Sequence, residues 1–201
     1  MKITILDRIL LLATGLLAAW QIAVGIDQLN TLPMIAYTIG FGVLLVAGLL
    51  LLILGFDVLE SPVVVVVSTI IPLSLSLGLV WEHIAAFRIF YQYFVILGFL
   101  AIVVTRFVPM KTKIPVIVLA CIHGIAGMTI FLLPIILAVT GRSTPIFALV
   151  GIGGALIGVG GLLLSFLKAG KPILPRRIIL KILPGLLLLT TAAFVLGFSV
   201  V

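Results

Sequence analysis

The sequence predicts an all-α polytopic membrane protein of seven transmembrane helices. Three observations carry this: 64% of the 201 residues are hydrophobic, only 8% are charged, and the charged ones gather in short turns between long apolar runs. A chain of this composition has the bilayer as its solvent, and its length leaves no room for a separate soluble domain.

The first run extends from Ile9 to Ile26 after Lys2, Asp7 and Arg8. It is longer than the apolar region of a signal peptide, so it is taken as an uncleaved span. Asp27 to Thr31 form a polar turn, and Pro33 stands in the first turn of the second span, which reaches Phe56. Ser61 and Pro62 cap the third span, which runs to Trp81 and matches the roughly 20 residues a bilayer requires. Glu82 to Arg88 contain no Gly or Pro, yet a turn is placed there, because the alternative is a helix far longer than the membrane is thick. The fourth span runs from Ile89 to Phe107 and the fifth from Ile114 to Val139, with a kink expected at Pro134. Gly141, Ser143, Thr144 and Pro145 supply a C-cap, N-cap hydroxyls and a first-turn proline before the sixth span, which ends at Leu167. The basic turn Lys168 to Lys181 precedes the seventh.

Seven spans place the termini on opposite sides. With the N-terminus inside, Lys2, Arg8, Arg106, Lys111, Lys113, Lys168, Lys171, Arg176, Arg177 and Lys181 are cytoplasmic, and only Arg88 and Arg142 lie outside. This asymmetry is the positive-inside pattern of a plasma (inner) membrane protein, N-terminus cytoplasmic and C-terminus outside. The expected partners are the bilayer and anionic headgroups on the cytoplasmic side, met by Lys168, Lys171, Arg176, Arg177 and Lys181. Charge divided in this way is a membrane signal and does not call for nucleic acid. Trp20, Tyr37, Trp81, Tyr91 and Tyr93 fall in the outer half, as an aromatic belt would.

An ungapped offset of 112 residues aligns Pro33 with Pro145, Pro72 with Pro184, Gly15 with Gly127 and Gly48 with Gly160. It predicts a 3+1+3 parallel repeat within the single domain 1–201: repeats 1–88 and 113–201, with helix 89–108 as the linker, related by an axis along the membrane normal.

The candidate site is a polar stripe on the third span. At 100° per residue Ser68, Pro72, Ser76 and His83 share one side, with Glu82 at its edge and Arg88 beyond. Pro72 frees the carbonyl of Ser68, and the nearby hydroxyls either repair that break or line a solute path. His123 in the fifth span is a further candidate, because burying imidazole in hydrocarbon is unfavourable; a bond to a neighbouring carbonyl is the plainer reading. His83 and His123 sit at different depths, which argues against a shared haem. Gly151, Gly154, Gly158 and Gly161 form one face of the sixth span, and Gly153 and Gly160 another, as expected of a helix sandwiched between two neighbours. Room for a flat ligand is the alternative use of that face.

The lone Cys121 supports neither a disulfide nor a thiolate metal site within one chain. No hydrolytic, metal or phosphate-binding motif occurs, so the expectation is a non-enzyme without a cofactor or metal. Its expected role is to bind or translocate a small solute near helices 3, 4 and 5. The alternative is a non-catalytic subunit, homo-oligomeric or part of a larger membrane complex.

Overall fold

The computed structural model describes residues 3–26, 29–108, 112–168, 170 and 172–199. It consists of seven long helices, α1 (Ile5–Val24), α2 (Thr31–Leu54), α3 (Pro62–His83), α4 (Arg88–Phe107), α5 (Ile114–Val139), α6 (Ala148–Lys168) and α7 (Arg176–Phe198), with no strand among the described residues. Each is long and apolar enough to cross a membrane.

Local chemistry sets the ends. Thr4 and Asp7 form a reciprocal capping box, so α1 begins four residues before the apolar run that marks it. Gly25 and Gly55 end α1 and α2 at φ 75° and 79°, a backbone region that glycine enters without steric penalty. The break expected between the third and fourth spans falls at Ile84, followed by a 3-10 turn over Ala85–Phe87. α7 starts at Arg176, earlier than the basic turn suggested, so Arg176, Arg177 and Lys181 lie within its first two turns. Pro134 and Pro184 are buried inside α5 and α7.

The neighbours run α1, α2, α3, α5, α6, α7 and back to α1, closing a six-helix ring. α4 stands outside the ring, against α3 and α5. In the half of the ring nearer the C-terminus one apolar core joins all six helices, with Tyr37, Phe41, Leu79, Phe147, Phe194 and Phe198 in its centre. Phe198 is its hub: its ring centroid lies 4.5 Å from Tyr37, 6.1 Å from Phe41, 6.2 Å from Phe147 and 6.5 Å from Phe194. Nearer the N-terminus the core divides. Leu11, Leu51, Phe56, Leu180 and Leu183 form one part, and Val66, Leu73, Ile102, Ile122 and Ala126 the other.

The order of neighbours is the same within α1–α3 and α5–α7, but the packing register departs from the offset of 112. Gly78 of α3 meets the Tyr37 ring of α2, while Gly153 of α6 meets the Phe194 ring of α7. The offset would carry Tyr37 and Gly78 to Leu149 and Thr190, which are not the residues of that second contact, so the packing does not show the 3+1+3 repeat.

Two aromatic residues assigned to the interfacial belt are core residues instead. Tyr37 and Tyr91 are buried, whereas Trp20 and Tyr93 are exposed as belt residues would be. Their polar tips are accommodated inside the bundle, and the rings are large enough to fill gaps between helices.

Candidate functional site

α3 is the most enclosed helix, held by α2, α4 and α5. Its valine-rich start and its centre of alternating Leu and Ser produce a helix with hydroxyls on several sides, and most of them are buried. Pro72 and Ser76 are buried as the stripe requires, and Ser68 is half-buried. Each hydroxyl is bonded to its own helix: Ser68 donates to the Val65 carbonyl at 3.0 Å, Thr69 to the same oxygen at 2.7 Å, Ser74 to Ile71 at 3.2 Å and Ser76 to Leu73 at 3.1 Å. None donates to the Ser68 carbonyl that Pro72 frees. The serines thus satisfy themselves locally, the usual solution for a hydroxyl surrounded by hydrocarbon.

Ser74, on the opposite side from the stripe, is buried as well, with its hydroxyl against Gly40 of α2. Neighbours therefore enclose α3 on both sides.

The polar contact that joins helices lies one step beyond the stripe. Tyr91 of α4 is 7% exposed, and its phenol donates to the Thr129 hydroxyl of α5 at 3.2 Å; Thr129 in turn donates to the Ile125 carbonyl at 2.8 Å. Ser76 of α3, the neighbouring helix, keeps its hydroxyl on the Leu73 carbonyl. Two hydroxyls from two helices meet where α4 rests on the ring. Tyr91 reads in sequence as part of an aromatic stripe, and Thr129 as one more small residue of α5. Only the crossing of the helices makes them partners.

At the C-terminal end of α3 the charged candidates separate. Glu82 accepts a long hydrogen bond of 3.4 Å from the Asn30 amide of α2, and Arg88 donates to the Trp81 carbonyl. The Arg88 guanidinium also lies over the Trp81 ring, 5.9 Å from its centroid, so it pairs with neither Glu82 nor Gln92. The His83 ring lies 5.3 Å from that of Phe147, tilted by 58°, with its Nε2 buried and without a partner among the described residues. His123 lies toward the other end of the bundle and is separate from this group; its Nδ1 and the Nε of Arg106 are buried without a partner among the described residues.

The glycines of α6 divide in two. A Cβ on Gly151 would lie 2.6 Å from the Phe131 carbonyl oxygen of α5, and one on Gly154 would lie 2.8 Å from Ile130. Gly153 and Gly160 are closed in the same way by Phe194 and Leu186 of α7. α6 is therefore sandwiched where these residues lie. Gly158 and Gly161, and Gly124 and Gly127 of α5 at about the same height, meet open space. A side chain could be added at any of these four positions without meeting a neighbour.

On the N-terminal face, Arg176 donates to Glu60 at 2.8 Å, tying the start of α7 to the turn after α2. Arg177 and Lys181 are exposed, while the Lys168 side chain and Lys171 lie outside the described residues. A shallow cleft of about 400 Å³ between Arg8 and Asp57 opens on this face. Among the described residues no three His, Cys, Asp or Glu side chains are grouped as a metal would require.

Two further buried polar groups are absent from the stripe. Gln21 of α1 is 3% exposed, and Thr190 of α7 is wholly enclosed; each has one oxygen without a partner among the described residues. A glutamine inside the first span is the sequence signal that points to Gln21. Thr190 beside Thr191 resembles any helix hydroxyl pair.

No family model, curated protein or solved structure matches the chain. What it does must be argued from its own geometry.

Proposed function

We propose that this multi-pass membrane protein binds a small solute, and passes it between the two faces, along the seam where α4 lies against α3 and α5. The observation that carries the reading is the Tyr91–Thr129 hydrogen bond at the contact of the one long helix that stands outside the ring. Hydroxyls inside a bilayer are retained where they find partners, and a helix held on one side can move without opening the ring. A solute with hydroxyl or amine groups would exchange bonds with Tyr91 and Thr129 as α4 shifts. The N-terminal face, which carries the basic residues, is assigned to the cytoplasm by the positive-inside rule, with Arg177 and Lys181 against anionic headgroups of the plasma membrane. α1–α3 and α5–α7 are read as two copies of one unit, supported by their shared order of neighbours.

The test is a panel of polyols, sugars, amines and amino acids applied to the purified protein in lipid nanodiscs, with thermal stabilisation as the readout. A stabilising compound whose effect is lost in Tyr91→Phe and kept in Tyr93→Phe supports the seam. A panel without effect, or one equally effective on both variants, removes it.

A second reading, a non-catalytic subunit or homo-oligomer, is favoured by the open space at Gly124, Gly127, Gly158 and Gly161, which a partner helix could enter closely. Mass measurement after gentle solubilisation separates the two: a stoichiometric second chain or a coloured sample supports the subunit.

A further inference from the structure

The cleft between the start of α1 and the end of α2 is built on anchored backbone. Thr4 and Asp7 cap α1 reciprocally, and the Arg8 amide donates to the Thr4 carbonyl at 3.1 Å, which fixes the first turn. Gly55 ends α2 with the Ile3 side chain beside it, and the buried Phe56 that follows sits in a core shared with α1 and α7. Asp57 comes next in the chain. Arg8, Ile53, Leu54 and Asp57 all line the resulting space of about 400 Å³. The other acids on this face are engaged: the Asp7 carboxylate is buried and accepts from the Thr4 amide and hydroxyl, and Glu60 pairs with Arg176. Arg8 and Asp57 are exposed and form no ion pair, with each other or with a third group, among the described residues. One positive and one negative side chain thus share a cleft without meeting across it. Ile53 and Leu54 are 74% and 58% exposed, so apolar surface adjoins the two charges.

We infer that this cleft holds one membrane phospholipid of the phosphoethanolamine class, its phosphate on Arg8, its ammonium on Asp57 and its acyl chains along Ile53 and Leu54. A guanidinium bonds two phosphate oxygens at once, which suits Arg8 to the phosphate. A primary ammonium brings three N–H donors to the Asp57 carboxylate, as a lysine would; a quaternary choline nitrogen brings none. An anionic headgroup without an amine satisfies Arg8 but sets its charge against Asp57. The chains separate a lipid from free phosphoethanolamine, because only the lipid has apolar surface to set against Ile53 and Leu54. The site lies between α1 and α2 and does not depend on the seam at α4.

Native mass spectrometry tests it on the whole protein in detergent containing equal amounts of phosphoethanolamine and phosphocholine lipids with identical chains. Both headgroups are neutral overall, so Arg177 and Lys181 do not distinguish them. The unaltered protein is expected to retain the phosphoethanolamine lipid at least about threefold over the phosphocholine lipid, the scale of one exposed ion pair. Asp57→Ala should bring that ratio to about one, and Arg8→Ala should lower retention of the phosphoethanolamine lipid about threefold, by the same scale. Both side chains are exposed, so neither substitution opens the core. Equal retention of the two lipids by the unaltered protein overturns the inference, whatever the variants do, and so does a preference that survives in Asp57→Ala. Displacement of the bound lipid by soluble phosphoethanolamine at the same concentration would overturn it too, because the occupant would then be the free headgroup.

Discussion

The Tyr37 ring of α2 occupies the space that a side chain on Gly78 of α3 would need. This contact brings the two helices close in the half of the bundle where all six ring helices share one core, and Tyr37 is itself packed 4.5 Å from Phe198. The ring lies between Gly78 and Phe198, so a side chain at Gly78 would have to displace it. Gly78→Ala is therefore expected to destabilise the protein by about 1–3 kcal/mol, the usual effect of overpacking. Gly42→Ala, where a Cβ meets open space, should be neutral or slightly stabilising. Apparent melting temperatures in one detergent check the pair; equal shifts would mean that the close approach is absent.

Ser74 and Ser76 lie on different sides of α3, yet both are buried and both hydroxyls are used by their own helix. Replacing either by Leu adds volume without removing an interhelical bond. Both variants should lower folded yield to a similar extent, with Ser74→Leu displaced by Gly40. Size-exclusion profiles of the two detect this. A well-behaved Ser74→Leu would show that α2 can move away from α3.

The ion pair of Arg176 with Glu60 is short, but its side chains are 56% and 67% exposed. Water and salt screen such a pair, so Arg176→Ala should change stability by less than about 1 kcal/mol. A melting temperature that drops by more than a few degrees would place the pair in a drier setting than its exposure indicates.

Asn30 and Ser143 lie at the C-terminal face and Gly170 at the opposite one. After Cys121→Ser, which removes the exposed native thiol, single cysteines at the first two positions are expected to react with an impermeant maleimide added to intact cells, and one at Gly170 only after lysis. The reverse pattern would put the N-terminus outside and contradict the charge asymmetry.

The number of spans, their approximate limits, a turn within Glu82–Arg88 and the cap at Gly141 were legible in the amino-acid sequence, because they depend on local matters: the length of an apolar run against a bilayer, and the turn residues beside it. Which side of each helix faces the core was not legible. In water an apolar side marks the core, but here lipid is as apolar as the interior, so Phe198 at the hub and the exposed Phe90 and Phe107 carry the same side chain with opposite surroundings. For the same reason the stripe on α3 could not reveal that its hydroxyls turn back to their own carbonyls, nor could the glycine face of α6 reveal that Gly151 and Gly154 are closed while Gly158 and Gly161 are open. The order of the ring, the place of α4 outside it, the meeting of Tyr91 with Thr129 and the stranded oxygen of Gln21 were decided by tertiary packing alone. Each depends on how two helices far apart in sequence cross, which no span encodes by itself.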